Sequence, residues 1–449
     1  MEGTRFTLDD MSAWEIIVPP TVYPPKEDTQ MLCRVISELS ANTGGKALEI
    51  GCGSGLVTMV LTSIGWDVSA CDVNPFAVAC TRGNMEANGI SGKVSVIESG
   101  IGEDMAISEN TDLVVWNLPY LDEEVEYPEL LEKMEDAALS DIPQGGWGRA
   151  LLQTLENNGA ALCDKVLVIL VMRTDPEGSS RVTDWENNGW SWRSLGIKRF
   201  GVEKIEVIGL WRTGSGVAAT ILDSCSSTMD EAAKLPEEGW QRVFSKIQTK
   251  GRGRMGSAWV SDKGGVFATW NLDVSLLENL SPGLIQTSIG AVVSDALCAN
   301  MKWPNDIVDD NGMKMGGVLL ESSNNEAIRA GVGANRNGFV KGEVMASGWE
   351  ESLGAIDAFE VFLRIDRGIS SIFESNRIMP APTQERLALI SWKALSRFLS
   401  RGVQASVDGR LLRPTGLNTK GELETFGDGG TVVLRELDGI GWIFSHEHA

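Results

Sequence analysis

Glycine and arginine alternate at Gly251-Arg252-Gly253-Arg254, with Gln248 just before the run and Gly256 and Trp259 just after it. Glycines let a loop fold closely around a ligand because they accept dihedrals that other residues avoid. Guanidinium forks match carboxylate and phosphate oxygens two hydrogen bonds at a time. A second candidate cradle is Gly51-Cys52-Gly53-Ser54-Gly55, set between the apolar stretch Lys46–Ile50 and the helical run LVTMVLTSIG. A glycine turn of this kind brings backbone N–H groups and a helix N-terminus up to a ligand. Asp72 follows at the tip of the next apolar stretch, where an acid accepts hydrogen bonds from ribose hydroxyls. Taken alone, that pattern fits NAD, FAD or S-adenosylmethionine equally well.

The elements that must position these residues are legible from periodicity. A strand at Asp112–Trp116 runs into Asn117-Leu118-Pro119-Tyr120, and another at Gly265–Trp270 flanks the arginine loop. Ser226-Ser227-Thr228-Met229-Asp230 precedes an Ala-containing stretch, a pattern that a helix N-cap alone would explain. Ala358–Ser375 has the spacing of an amphipathic helix. From Gly402 to Phe444 apolar and polar residues alternate between turns at Asp408-Gly409, Lys420-Gly421, Asp428-Gly429-Gly430 and Asp438-Gly439, which predicts hairpins closing a small barrel.

The first half resembles the amino methyltransferases. Asn117-Leu118-Pro119-Tyr120 is similar to their NPPY loop, with Leu118 in place of the first proline, and Glu49 with Gly51, Gly53 and Gly55 is similar to their E-x-G-x-G-x-G motif. Val22-Tyr23-Pro24-Pro25-Lys26-Glu27-Asp28-Thr29 and Gly145-Gly146-Trp147-Gly148-Arg149 resemble segments of the branch that methylates a release-factor glutamine. That resemblance implies S-adenosylmethionine bound by Thr29, Glu49, Gly51, Gly53, Gly55, Asp72, Asn117 and Pro119, with Asn117 and Tyr120 catalytic. It implies a Rossmann-like α/β fold with a mixed seven-stranded sheet, and a peptide chain release factor as the methyl acceptor. Positioning supplies much of the rate when a planar nitrogen must be aimed at a methyl group.

The second half resembles the biotin protein ligases. Gln248 through Trp259 is similar to their Q-x-x-GRGRxGxxW loop, and Lys302-Trp303-Pro304-Asn305-Asp306 to their KWPND core. Lys314 through Glu321 and Gly331 through Asn335 resemble their KxxGILxE and GIGxN strands, and Ser226 through Ala232 their STN-x-x-A segment. The resemblance implies an α+β catalytic domain with a small C-terminal β-barrel, ATP, Mg²⁺ and biotin as its small molecules, and the biotin carrier domain of an acyl-CoA carboxylase as acceptor. It makes Lys302 and Arg254 catalytic. It assigns Ser227, Thr228, Gln248, Gly251, Arg252, Gly253, Gly256, Trp259, Asn305, Asp306, Lys314, Gly317, Asn335 and Trp349 to biotin and the adenylate, with Asp306 serving a metal or the loop. A lysine ammonium on a flexible stem can stabilise charge on a carboxylate and a phosphate together as they join. The mixed anhydride so formed hydrolyses easily, and a covering loop protects it. Lipoate is the competing substrate, and a first half that docks partners without catalysing is the competing role.

Length and composition are consistent with a fusion. At 449 residues the chain exceeds the roughly 250–300 at which single cores stop growing. The expected parts are residues 1–212, a linker at 213–216, a catalytic domain at 217–400 and a barrel at 401–449. A net charge of −23 disfavours nucleic acid as a partner. MEGTRFTLDD carries no basic and apolar leader pattern, and no apolar run approaches a bilayer span, so a cytoplasmic, membrane-free protein is expected. Seven cysteines without a CxxC pair read as buried, reduced thiols. The two histidines, His446 and His448, leave little room for histidine triads or multi-histidine metal sites.

Overall fold

The computed structural model describes residues 3–8, 12–39, 45–90, 94–102, 105, 107–119, 143–214, 216–253, 259, 263–273, 275, 277–323, 327–376, 378–435 and 440–444. The chain forms two compact units. The first is residues 1–212 together with Asn376–Pro380, and the second is residues 213–375 with 381–449.

In the first unit an N-terminal hairpin, β1 (Thr4–Thr7) and β2 (Ala13–Ile16), precedes the main sheet. That sheet comprises β3 (Lys46–Ile50), β4 (Asp67–Asp72), β5 (Val94–Glu98), β6 (Thr111–Asn117), β7 (Leu162–Asp175), β8 (Trp190–Phe200) and β9 (Glu203–Arg212). Their spatial order is β5-β4-β3-β6-β7-β9-β8, parallel through β7, with β9 antiparallel to both of its neighbours. The central strands are near-continuous apolar runs because helices cover both faces of such a sheet. Leu113, Val114 and Val115 are fully buried, pointing alternately into two separate cores. The order reverses between β3 and β6, and ligands of open α/β sheets bind at the carboxyl ends of the strands beside such a reversal. Ile378 and Met379 complete the core on one face of this sheet, where a Cβ on Gly209 of β9 would stand 3.0 Å from the Met379 sulfur.

The second unit holds a seven-stranded sheet of β10 (Thr220–Leu222), β11 (Arg242–Ser245), β12 (Val266–Leu272), β13 (Asn300–Lys302), β14 (Asp306–Val308), β15 (Lys314–Ser323) and β16 (Ala327–Ala334). They lie in the order β10-β11-β12-β16-β15-β14-β13. A separate hairpin pairs β17 (Phe339–Lys341) with β18 (Val344–Ala346). Helix Pro282–Ala296 begins where the Ser281 hydroxyl accepts the Leu284 N–H, and helix Ala358–Phe373 where the Asp357 carboxylate accepts the Phe359 N–H. Val361, Phe362, Ile365, Ile369 and Ile372 recur at helical spacing and face the core. The expected amphipathic helix therefore ends two residues early, at Phe373.

The remaining strands, β19 (Val403–Val407), β20 (Arg410–Leu417), β21 (Leu423–Gly427), β22 (Gly430–Leu434) and β23 (Ile440–Phe444), form a five-stranded antiparallel sheet in the order β22-β21-β20-β19-β23. Three of the four expected turns join its strands, and Asp438-Gly439 lies outside the described residues. Asp408 (φ 49°) and Gly409 (φ 74°) both adopt the positive φ that a two-residue turn needs to match strand twist. All seven cysteines are free, but only Cys33, Cys52 and Cys71 are buried, and Cys298 is exposed at the end of helix Pro282–Ala296. Among the described residues no helix is long and apolar enough to cross a membrane.

Candidate functional sites

In the second unit a cavity of about 400 Å³ is lined by residues of seven separated segments. Ser227, Thr228, Gln248, Arg252, Gly253, Trp259, Asn305, Asp306, Lys314, Gly317 and Asn335 all face it. The sheet order explains the convergence: β15 and β16 run side by side, and β14 is hydrogen-bonded to β15.

One end of the cavity is a fixed set of polar groups. The Thr228 N–H and hydroxyl both donate to Gln248 Oε1, at 2.9 and 3.1 Å, and the Thr269 hydroxyl donates to Thr228 Oγ1 at 2.9 Å. With its oxygen committed, the Gln248 amide offers its Nε2 donor to a ligand. Trp259 Nε1 and Asn335 Oδ1 are buried with no partner among the described residues. A buried polar atom left unpaired is costly, so both are positions where a ligand atom would be stabilising.

The other end is charged. Asp306 is held by two ammonium groups, Lys314 Nζ at 2.6 Å from Oδ1 and Lys302 Nζ at 3.3 Å from Oδ2. Lys314 also sits 5.6 Å over the Trp259 ring. Lys302 is not among the cavity-lining residues but points its charge at Asp306, which is. Asp306 thereby orients two lysines.

Arg252 lines the cavity. Its guanidinium pairs with Glu321 of β15 (2.9 and 3.1 Å) and Asp230 of the short helix Thr228–Ala232 (2.9 and 3.0 Å). Two acids thus clasp the fork beside the cavity. The Gly251 carbonyl accepts the Trp259 N–H at 3.0 Å and closes the base of the arginine loop. A Cβ on Gly251 would fall 2.8 Å from Gln248 Nε2 and 2.9 Å from Trp259 Cβ, so this position has no room for a side chain. Arg254 and Gly256 lie outside the described residues. Trp349 is fully buried and does not line the cavity; its backbone N–H donates to the Asn335 carbonyl at 3.0 Å. Sequence reasoning passed over Met229, Gly331 and Gly333 and the hairpin residues Val344, Met345 and Ala346, which also line the cavity. Trp259 packs on Gly333, where a Cβ would come 2.8 Å from the indole.

In the first unit the carboxyl ends of β3, β4 and β6 bring the expected residues together. Gly51, Gly53 and Gly55 all have positive φ, at 69°, 53° and 83°. The Gly53 N–H donates to Asp72 Oδ2 and the Asn74 N–H to Asp72 Oδ1, each at 2.9 Å, so the acid at the tip of β4 braces the glycine turn. Burial raises the Asp72 pKa, against those two hydrogen bonds. Glu49 is buried under the turn and accepts the Thr58 hydroxyl from helix Leu56–Ser63, and burial pushes its carboxyl up to about 8. It acts as a strut beneath the loop.

Asn117 ends β6. Its Nδ2 donates to Asp28 Oδ2 at 3.0 Å and to Thr29 Oγ1 at 3.3 Å, while its Oδ1 is buried with no partner among the described residues. Two acceptors therefore fix the amide so that its oxygen is the atom left for a donor. Pro119 is half-buried, and Tyr120 lies outside the described residues. Asp28 is the residue that the sequence reading quoted but did not select.

Residues 26–158 match the family model of the methyltransferase small domain, and residues 223–335 match that of the biotin/lipoate A/B protein ligase family. Methyltransferase HEMK2 of Homo sapiens is 34% identical over 105 residues, covering 22% of this chain and 49% of that protein. A ribosomal protein L11 methyltransferase of Pelotomaculum thermopropionicum is 34% identical over 91 residues, 20% of this chain and 29% of its own length. The biotin–[acetyl-CoA-carboxylase] ligase of Paracoccus denitrificans is 32% identical over 131 residues, 26% of this chain and 54% of its own. A biotin protein ligase structure from Aquifex aeolicus, in complex with biotin and ATP, aligns at 24% identity and TM-score 0.39 over 51% of this chain and 99% of that one. The chain spans a quarter to just over half of the length of the curated relatives it matches. One chain thus joins a segment that matches the methyltransferase small domain to a segment that matches the biotin/lipoate A/B protein ligase family.

Proposed function

We propose that the second unit is a biotin protein ligase, which joins biotin to ATP as biotinyl-5'-adenylate and passes the biotinyl group to a lysine on the carrier domain of an acyl-CoA carboxylase. The observation that carries this reading is one cavity with a fixed polar end at Thr228 and Gln248 and a charged end at Lys314 and Asp306, the latter also paired with Lys302 beside the cavity. A ureido ring is neutral and rich in hydrogen-bonding groups, which suits the first end. A carboxylate meeting an α-phosphate is anionic, which suits the second. The biotin carboxylate oxygen bonds to the α-phosphorus as the bond to pyrophosphate breaks. Asp306 holds both ammonium groups beside the reacting oxygens, and Lys302 stabilises the charge that accumulates there. Mg²⁺ would enter with the triphosphate. The acceptor lysine then attacks the acyl carbon and AMP leaves. The test is transfer of biotin to a recombinant carrier domain in the presence of ATP and Mg²⁺, with lipoate in parallel. Transfer of lipoate alone would move the assignment to the other branch of the family.

The first unit we read as an S-adenosylmethionine-dependent N-methyltransferase. The observation favouring it is the Asn117 amide, pinned through its nitrogen so that its oxygen awaits an N–H donor. S-adenosylmethionine, when bound, supplies an electrophilic methyl group. The positive-φ glycine turn and Asp72 beside it fit a ribose-bearing ligand, and Asn117 would aim the accepting nitrogen. A release-factor glutamine is the proposed acceptor, assayed with labelled methyl donor. A chain that binds no donor would favour the docking role.

A further inference from the structure

The end of β2 and the residue after it are held by two asparagines four residues apart, Asn84 in helix Pro75–Ala87 and Asn88 at its C-cap. The Glu15 N–H donates to Asn88 Oδ1 at 2.9 Å, and Asn88 Nδ2 donates to the Glu15 carbonyl at 2.8 Å. Asn84 repeats the pattern on Ile17, at 2.9 and 3.0 Å, where the carbonyl also takes the Cys80 thiol at 3.3 Å. Four helical residues rise about 6 Å and two extended residues about 6.6 Å, so the two carboxamides stand in for a paired strand. Asn84 does one thing more. Its Nδ2 also donates to the Ser54 carbonyl of the glycine turn at 2.9 Å, and the Thr81 hydroxyl, three residues earlier, donates to the Gly53 carbonyl at 3.1 Å. Both N–H groups and the oxygen of a side chain only 3% exposed are thereby used. Farther along the held segment Asn74 Nδ2 donates to the Thr21 carbonyl at 2.8 Å, and the segment then reaches Asp28 and Thr29, which pin the Asn117 amide.

We propose that Asn84 is a positioning residue for methyl transfer. It ties the glycine turn to the segment that carries Asp28 and Thr29, so that a donor bound at the turn braces the amide that aims the acceptor. This rests on the methyltransferase reading of the first unit. A carboxamide both donates and accepts, whereas a carboxylate only accepts. In Asn84→Asp the Ile17 N–H therefore keeps its acceptor, while the Ile17 and Ser54 carbonyls lose the amide donor and face a charge. Asn88 clips Glu15 and not the turn, so it separates simple tethering of the segment from coupling to the donor.

The test is amide hydrogen exchange of the full-length chain with and without S-adenosylhomocysteine, with protection of β7 as the check that each variant is folded. In the parent the ligand should slow exchange over residues 13–29 by about 5-fold or more, because local opening there is coupled to the occupied turn. Asn84→Asp should abolish that slowing over residues 13–18 and weaken S-adenosylhomocysteine by about 3- to 10-fold, the worth of one net hydrogen bond at the turn. The milder Asn84→Ser should lose part of the slowing, and Asn88→Ala should retain it over residues 17–29. Slowing in both Asn84 variants equal to the parent's, or an equal loss in Asn88→Ala, would overturn the role of Asn84. So would a parent that binds the ligand with no slowing over residues 13–29. A parent chain that binds no S-adenosylhomocysteine would instead overturn the methyltransferase reading itself.

Discussion

Asp306 sits between two ammonium groups, and the position of each lysine follows from that one carboxylate. Lys302→Ala should lower biotin-dependent pyrophosphate exchange by about 10²- to 10³-fold, the usual cost of losing a group that stabilises transition-state charge. Biotin affinity in the same variant should change by only a few fold, because Lys302 does not line the cavity. Normal exchange in the variant would remove Lys302 from the reaction. Glu49 supports a different prediction. Its folded-state pKa of about 8 lies above the roughly 4.3 of an unfolded glutamate, so the folded chain holds an extra proton between those values. The stability this contributes is present in full below about pH 4 and is lost as pH rises through about 8. Glu49→Gln should therefore be about neutral at pH 4 and increasingly stabilising relative to the parent towards pH 9, as denaturant unfolding at a series of pH values would measure. Single residues were legible in the sequence where a motif is contiguous, as at Asn305 and Asp306, which line the cavity. The clasp on Arg252 was not, because it is made by Asp230 and Glu321, which lie 22 and 69 residues away.

At the scale of elements, glycines set how closely strands, loop and ligand approach. Gly333 of β16 carries the Trp259 indole, and a Cβ there would stand 2.8 Å from a rigid ring. Gly333→Ala should displace Trp259 and weaken biotin binding by about 10-fold, a change of 1.4 kcal/mol. The thermal midpoint should stay near the parent's, and unaltered binding by titration would show that the ring moves freely. Turns and strands were readable because their signals are local: Asp408-Gly409 requires two positive-φ residues, and Lys46–Ile50 carries apolar residues on both faces. The hairpin of β17 and β18 beside the cavity was not readable. Its short strands, FVK and VMA, alternate too little for periodicity to mark them.

Across the whole molecule, the sequence boundaries divide the chain near residue 212, yet the first unit also contains Asn376–Pro380. Nothing in SNRIMPAP distinguishes this stretch from an ordinary loop, because its reason for being apolar lies in a distant sheet. The Arg193 guanidinium donates to the Pro380 carbonyl at 2.8 Å, and Met379 is 4% exposed. Met379→Ala should destabilise the first unit by about 2 kcal/mol or more. The loss should appear as faster hydrogen exchange in β8 and β9, and protection there equal to the parent's would mean that the segment adds no stability.

That borrowed segment also imposes a schedule. When residue 212 leaves the ribosome the first unit still lacks its final piece, and residues 213–375 must be made before that piece exists. At about 5–20 residues per second the wait is roughly 8–30 seconds. Through that interval the apolar groove for Ile378 and Met379 stands open, which makes nascent chains arrested before residue 376 the species most in need of a chaperone.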